Sequence, residues 1–474
     1  MVIGIASFLF YLLPARPLAW SFFFILTSNF YLLNSIILLP ISCVQGKKTV
    51  YFHTMNEIIQ VKRFVQNQLP ASDKRSLVLV TGARQTGKTT LLKKVYHNLP
   101  YYNLDAIEYR EQLSNISSFS WADEVGSAII DEIQKEPGLA DKIKFAFDEG
   151  SLKFSALSGS SQILLLKKMK ETLAGRVTIF ELFPFLFTEL FEKSSSTDTD
   201  QIFRHILKME NFHEFLKNQK KVILGKEWDD RTKTEEYLLR WGGMPPVYHL
   251  DDESEKQNWL RDYSIAYLER DVLDLARLSD LKPFKKYQQL AALRSANLLS
   301  YSELARDAAI ATETARRYLE YLRISYQAFL IMPYHKNLTS QIVKTPKLYW
   351  FDNGILRHLS GIGFNLMSGQ LYENYIAAEI MKYLRSSRSA VELTFYRTRS
   401  GMEIDFILAG SDRLVGIEVK NRKNIIQSDF TGLKKLSETS GTNWAGGIVL
   451  YRGNHLFCIN EPLKLWAIPS CRFF

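Results

Sequence analysis

Residues Ser76 to Tyr96 read SLVLVTGARQTGKTTLLKKVY. The first five are a short apolar run, the pattern of a buried parallel strand. Behind them Gly82, four residues, then Gly87-Lys88-Thr89 give the full phosphate-binding spacing, and TLLKKVY continues as a helix. Glycines let backbone N–H groups wrap phosphates, a lysine reaches the terminal phosphates and a hydroxyl ligates magnesium. The candidate nucleotide residues are therefore Gly82, Ala83, Arg84, Gln85, Thr86, Gly87, Lys88, Thr89 and Thr90. A chance glycine-rich turn would not bring strand, spacing, lysine and threonine together.

Such a loop needs a second strand that ends in acid, and SAIIDEIQK supplies it. Asp131 would complete the magnesium shell, and Glu132 would polarise the attacking water. KFSALSGSS reads as a further strand with polar residues at its carboxyl end, where ligands lie in open α/β sheets. Ser160 is the first choice for a γ-phosphate sensor, with Ser158 and Ser161 as competitors. In LAGRVTIFEL, Arg176 stands between a helix and the next strand. It is either a finger reaching a neighbouring subunit's γ-phosphate or, with Gly175, a helix C-cap.

TGARQTGKTTLL, IIDEIQK, LSGSS, ETLAGRV and FELFPFLFTEL, in this order, resemble the prokaryotic AAA+ ATPases that carry a C-terminal domain of unknown function. The similarity runs from about Met55 to the end. It implies ATP and Mg2+ as ligands, Lys88, Thr89, Asp131 and Glu132 at the nucleotide, Ser160 as sensor and Arg176 as candidate finger. It also implies an αβα sandwich with a helical lid, which would hold YLLRWGGMPPVYHL from Tyr237; a homo-oligomer is what the finger reading of Arg176 would need, and the sequence does not fix the oligomeric state.

Length and composition agree with several domains. The chain has 474 residues, 46% hydrophobic and 23% charged, so it is globular and not disordered. A net charge of +10 favours an acidic partner, nucleic acid or anionic lipid. Cys43, Cys458 and Cys471 make no C-x-x-C pair, which argues against structural zinc and disulfides and fits a reducing, cytoplasmic setting. The first 54 residues differ. SFFFILTSNFYLLNSIILLPI is long enough to cross a bilayer, with Lys47 and Lys48 on the cytoplasmic side. Either this is a membrane anchor or translation begins at Met55.

The expected divisions are an apolar extension over residues 1–54, the ATPase core over 55–191, the lid over 192–282, a winged helix-turn-helix over 283–351 and a last domain over 352–474. For the winged unit, Ser300 and Glu303 form a capping box. Thr312 would cap the third helix, which displays Arg316 and Arg317 and would read DNA if the unit binds it. A structural connector with solvent-facing arginines is the alternative. In the last unit LYENYIAAEIMKYL is an amphipathic helix with Glu373 near its start, and MEIDFIL and LVGIEVK form a hairpin. Glu373, Asp405, Glu418 and Lys420 fill the pattern of a PD-(D/E)xK nuclease core, although no proline precedes Asp405. The three acids would share a divalent ion, and Lys420 would steady the charge of the transition state.

Overall fold

The computed structural model describes residues 61–160, 172–194, 201–267, 281–334, 345–398 and 401–474. The apolar extension and its expected membrane span lie outside them. No helix among the described residues is long and apolar enough to cross a membrane.

The first sheet has five parallel strands: β1 (Ser76–Gly82), β2 (Tyr101–Asn103), β3 (Ile129–Asp131), β4 (Phe154–Ser160) and β5 (Val177–Glu181), in the order β2-β3-β4-β1-β5. Leu77, Val78, Leu79 and Val80 are wholly buried, as a strand covered on both faces requires. Helix α1 (Lys88–Val95) leaves the phosphate loop directly, and α2 (Leu139–Asp148) leads into β4. In register, Thr81 stands beside Glu181 and Gly82 beside Ser160, so the loop, β4 and β5 all end at one edge.

Beyond β5 come α3 (Phe187–Ser194), α4 (Ile202–Leu207), α5 (Phe212–Lys217), α6 (Lys226–Trp241) and α7 (Glu253–Tyr267). These helices, where the lid is expected, pack against the C-terminal part of the chain. Phe203 packs on Phe473 and Phe474, the Trp466 indole N–H donates to His213 Nδ1 at 2.9 Å, and Arg231 donates to the Cys471 carbonyl at 3.1 Å. These short helices are apolar toward the C-terminal sheet, and they clasp it.

Helices α8 (Lys282–Leu293), α9 (Tyr301–Ala308) and α10 (Thr312–Ile324) precede an antiparallel hairpin, β6 (Ala328–Pro333) and β7 (Lys347–Trp350). The Ser300 hydroxyl caps α9 by accepting from Glu303 N–H at 3.3 Å. Thr312 does not cap α10. It is the first helical residue, and the N-cap is Ala311 with no side-chain bond. Arg316 does not project freely, since its guanidinium lies 4.4 Å over the Tyr301 ring.

After α11 (Asn353–Ser360) and α12 (Gly369–Ser386), the remaining strands are β8 (Glu392–Arg397), β9 (Glu403–Ala409), β10 (Leu414–Lys420), β11 (Trp444–Tyr451), β12 (Phe457–Asn460) and β13 (Leu465–Pro469). They are joined by α13 (Thr431–Ser440) and end in α14 (Ser470–Phe473). This second sheet runs β12-β13-β11-β10-β9-β8-β6-β7. The hairpin assigned to the winged unit is thus its edge, with β6 paired in parallel to β8. A boundary between residues 351 and 352 therefore cuts one sheet from its own helices. Residues 60–474 form one compact unit, and a single apolar cluster joins Phe183–Phe191 to Tyr372–Leu384 and Phe473-Phe474.

Gly242-Gly243, at the end of α6, serves a close approach. A Cβ on Gly242 (φ +75°) would lie 2.1 Å from an Asp352 oxygen, and one on Gly243 would lie 2.4 Å from the Phe185 carbonyl. Asp352 caps α11 through Ile355 N–H at 3.0 Å and also accepts from Gly243 N–H at 2.7 Å.

Glu235 on α6 is buried, and one of its oxygens has no hydrogen-bond partner among the described residues. Burial raises its pKa from the ordinary 4.5 to about 7. The folded state then holds a proton that the unfolded state has released, so stability falls as pH rises across that interval. Urea melts from pH 5 to 8 should show wild-type stability falling more steeply than that of Glu235→Gln, which keeps only the fall due to the other raised carboxyls. The gap at pH 8 should be on the order of 3 kcal/mol in favour of the variant. Parallel curves would show that the carboxyl is solvated.

Candidate functional site

The phosphate loop has the geometry its sequence requires. Gly87 sits at φ +94°, where only glycine is comfortable, and Thr86 Oγ1 donates to the Ala83 carbonyl at 2.9 Å. The buried Lys88 Nζ donates to the carbonyls of Gly82 at 3.1 Å and Ala83 at 2.8 Å. Its ammonium is thus stored on the loop that would wrap phosphates. Arg84 and Thr90 flank the loop, Thr90 on the solvent side.

Asp131, at the end of β3, collects hydroxyls. Thr89 donates to Oδ2 at 2.6 Å, Tyr101 donates to the same oxygen at 2.8 Å, and Ser158 donates to Oδ1. Burial and then Asp131 push the Tyr101 phenol upward, so it stays a donor. Thr89 and Asp131 are hard oxygen donors within one hydrogen bond of each other beside the loop. They fit a magnesium ion carried by a nucleotide. Glu132 follows in the left-handed region (φ 55°), its N–H on Asp131 Oδ1 at 3.0 Å and its carboxylate held by the Gln134 amide.

Among the serines, Ser158 is the one bonded to Asp131. Ser160 is level with Gly82 at the strand end, and Ser161 lies outside the described residues. Arg176 is at the other end of β5. At about 3.3 Å per residue, five strand residues hold it roughly 16 Å from the carboxyl edge. There its guanidinium pairs with Asp148 in the open. It cannot serve its own chain's γ-phosphate.

Arg63 escaped the sequence reading. It is buried, donates from Nε to Glu189 at 3.1 Å, from Nη1 to the Thr86 carbonyl at 2.6 Å and from Nη2 to the Phe183 carbonyl at 2.5 Å. One guanidinium thereby ties the phosphate loop to the segment after β5. Nothing in VKRFVQ distinguishes Arg63 from a surface basic residue, whereas Gln134 follows a recognisable strand.

At the carboxyl edge of β5, Glu181 accepts from Tyr326 OH at 2.9 Å and from Arg385 Nε at 2.7 Å. Arg385 belongs to α12. On the same helix Lys382 Nζ donates to the Phe185 carbonyl at 2.9 Å, and Glu379 accepts from Phe187 N–H at 2.8 Å. The helix expected to be amphipathic is buried nearly all round, among others at Tyr372, Tyr375, Ile376, Ile380 and Tyr383. Each such side chain stabilises the packed state by about 1.5–3 kcal/mol, so the helix moves as a rod or not at all.

Glu373 lies near the other end of that rod. The structure brings it together with Asp405 on β9 and with Glu418 and Lys420 on β10. Asp405 Oδ2 accepts from Val419 N–H at 2.8 Å, and Lys420 Nζ donates to Glu418 at 2.9 Å. Burial, then Asp405, raises Glu373 to about 7 and Glu418 to about 8. Among the described residues no group of three or more His, Cys, Asp or Glu is arranged to hold a metal ion. Lys347, at the start of β7, donates to Glu373 at 3.1 Å and pairs with Glu403 at 2.5 Å. Tyr349 OH also donates to Glu373 at 2.7 Å. The residues as placed do not fit the ion.

Residues 74–191 match the family described as AAA domain. Residues 231–365 and 368–471 match two families described as Domain of unknown function, DUF8612 and DUF4143. The uncharacterized protein Rv2008c of Mycobacterium tuberculosis is 26% identical over 410 residues, 83% of this chain and 80% of its own length. The uncharacterized protein MJ1637 of Methanocaldococcus jannaschii is 24% identical over 431 residues, 84% of this chain and 87% of its own. Among solved structures, the Aeropyrum pernix ORC1 protein in complex with DNA aligns with 65% of this chain and 96% of that one. The TM-score is 0.25 and the identity 11%.

Proposed function

We propose that this chain, an AAA-type P-loop ATPase domain fused to a C-terminal domain of unknown function, binds and hydrolyses ATP and uses the cycle to reset a nucleic-acid-docking module. Lys88 leaves the loop carbonyls for the β- and γ-phosphates. Thr89 and Asp131 would hold a magnesium ion arriving with the nucleotide, which would supply positive charge against the phosphates. Glu132 takes the proton of the attacking water, and Ser160 reads the γ-phosphate. Arg176, remote from its own site, serves that of a neighbouring subunit, so the active form is an oligomer.

The observation that carries the coupling is Arg385 on Glu181. The carboxyl edge of β5 stands beside the phosphate loop, and a change there reaches α12 directly. DNA is the expected partner because the chain carries +10 and α10 bears Arg316 and Arg317. Docking is preferred to cutting because Lys347 already pairs with Glu373 and Glu403.

The test measures DNA affinity by fluorescence anisotropy with ATP, using Glu132→Gln to block turnover, and with ADP. The two states should differ at least tenfold, and Arg385→Gln should erase the difference while nucleotide binding persists. Turnover per subunit should rise with protein concentration, and Arg176→Ala should flatten that rise. Equal affinities in both states would end the switch reading. Strand cleavage that needs added Mg2+ or Mn2+ and vanishes in Asp405→Asn would replace docking by cutting.

A further inference from the structure

We propose that Lys347 is the resident cation of the C-terminal charge cluster, occupying by its ammonium the place at Glu373 that a divalent ion would need. Lys347 begins β7 and is 3% exposed. An ammonium so buried costs several kcal/mol unless carboxylates surround it. Glu373 and Glu403 supply that company directly, at 3.1 and 2.5 Å.

The same contacts engage one oxygen of each acid. Glu373 Oε1 takes both Lys347 and Tyr349, Asp405 takes Val419 N–H, and Glu418 takes Lys420. Arg397 adds a further cation at Glu403, 3.0 Å away. A divalent ion at Glu373 would have to displace Lys347, whose Nζ is also held by Glu403 and lies 5.6 Å from the centre of the Phe395 ring. The lysine arrives from the hairpin β6-β7, which reaches this sheet through the pairing of β6 with β8. It therefore staples the helical unit over α8 to α10 to the cluster, and the charges hold a joint closed.

The test uses the full chain without nucleotide. Mn2+ binding is followed by electron paramagnetic resonance, and melting is followed with and without MnCl2. Wild type should show no Mn2+ site that Asp405→Asn removes. Lys347→Met should melt lower, gain a Mn2+ site that Asp405→Asn removes, and recover part of its melting temperature when Mn2+ is added. ATP turnover, which rests on the other sheet, separates this test from that of the proposed function. If Lys347→Met does not fold, Lys347→Met/Glu373→Gln removes the uncompensated acid with its cation and should melt closer to wild type. The proposal is overturned by a wild-type Mn2+ site lost in Asp405→Asn, by a Lys347→Met protein that gains no such site, or by a double variant no more stable than the single one.

Discussion

Glu132→Gln will keep ATP bound and lower turnover by two to four orders of magnitude, the range that a positioned general base supplies. Glutamine has the shape of glutamate and can still meet the Gln134 amide, so the left-handed turn at residue 132 has no reason to change. Only the capacity to take a proton is removed. Lys88→Ala should fail one step earlier. Its ammonium is the point charge intended for the terminal phosphates, and charge-assisted hydrogen bonds of this kind contribute about 1.5–3 kcal/mol each. The loss of two should weaken ATP binding by roughly a hundredfold or more. Calorimetric titration of nucleotide and single-turnover hydrolysis separate the two variants. Wild-type turnover by Glu132→Gln would remove Glu132 from the chemistry and leave Asp131 and the loop as a binding site only.

How much of this was legible in the sequence follows from the range of each interaction. The phosphate loop and the acid after β3 are local patterns, because backbone conformation, glycine and hydroxyl must lie within a few residues of one another. Asp405, Glu418 and Lys420 were legible for a similar reason, since the two-residue period of a hairpin places them on common faces. Lys347 was not, because it enters the cluster from β7 across the sheet. Its partners Glu373 and Glu403 are 26 and 56 residues away in sequence. The contacts of the helices in the lid region were hidden in the same manner. The apolar faces of α4 to α6 were readable, but what covers them, Phe473-Phe474 and Trp466, lies more than 220 residues on. Where a buried polar residue answers to a distant backbone carbonyl, as Arg63 does to Thr86, a periodic pattern carries no trace of it.

Arg63 gives the other large effect. Arg63→Met should destabilise the chain by about 3–5 kcal/mol, the cost of leaving one member of a buried ion pair without its partner. Glu189 would keep Phe64 N–H at 2.6 Å and Leu186 N–H at 3.1 Å, but its charge would lose the guanidinium. Arg63→Met/Glu189→Gln removes both charges and should recover most of that loss in urea melts. Nucleotide affinity should follow a different course. The Thr86 carbonyl is anchored by Arg63 alone of this pair, so the double variant regains stability and not the anchor. ATP should therefore bind tenfold or more weakly to both variants, including the stable one. Lysine at residue 63 would not restore it, because one ammonium cannot span Glu189, Phe183 and Thr86 as the guanidinium fork does. If the double variant recovered stability and bound ATP as wild type does, Arg63 would be a buried strut and the phosphate loop would hold its shape without it.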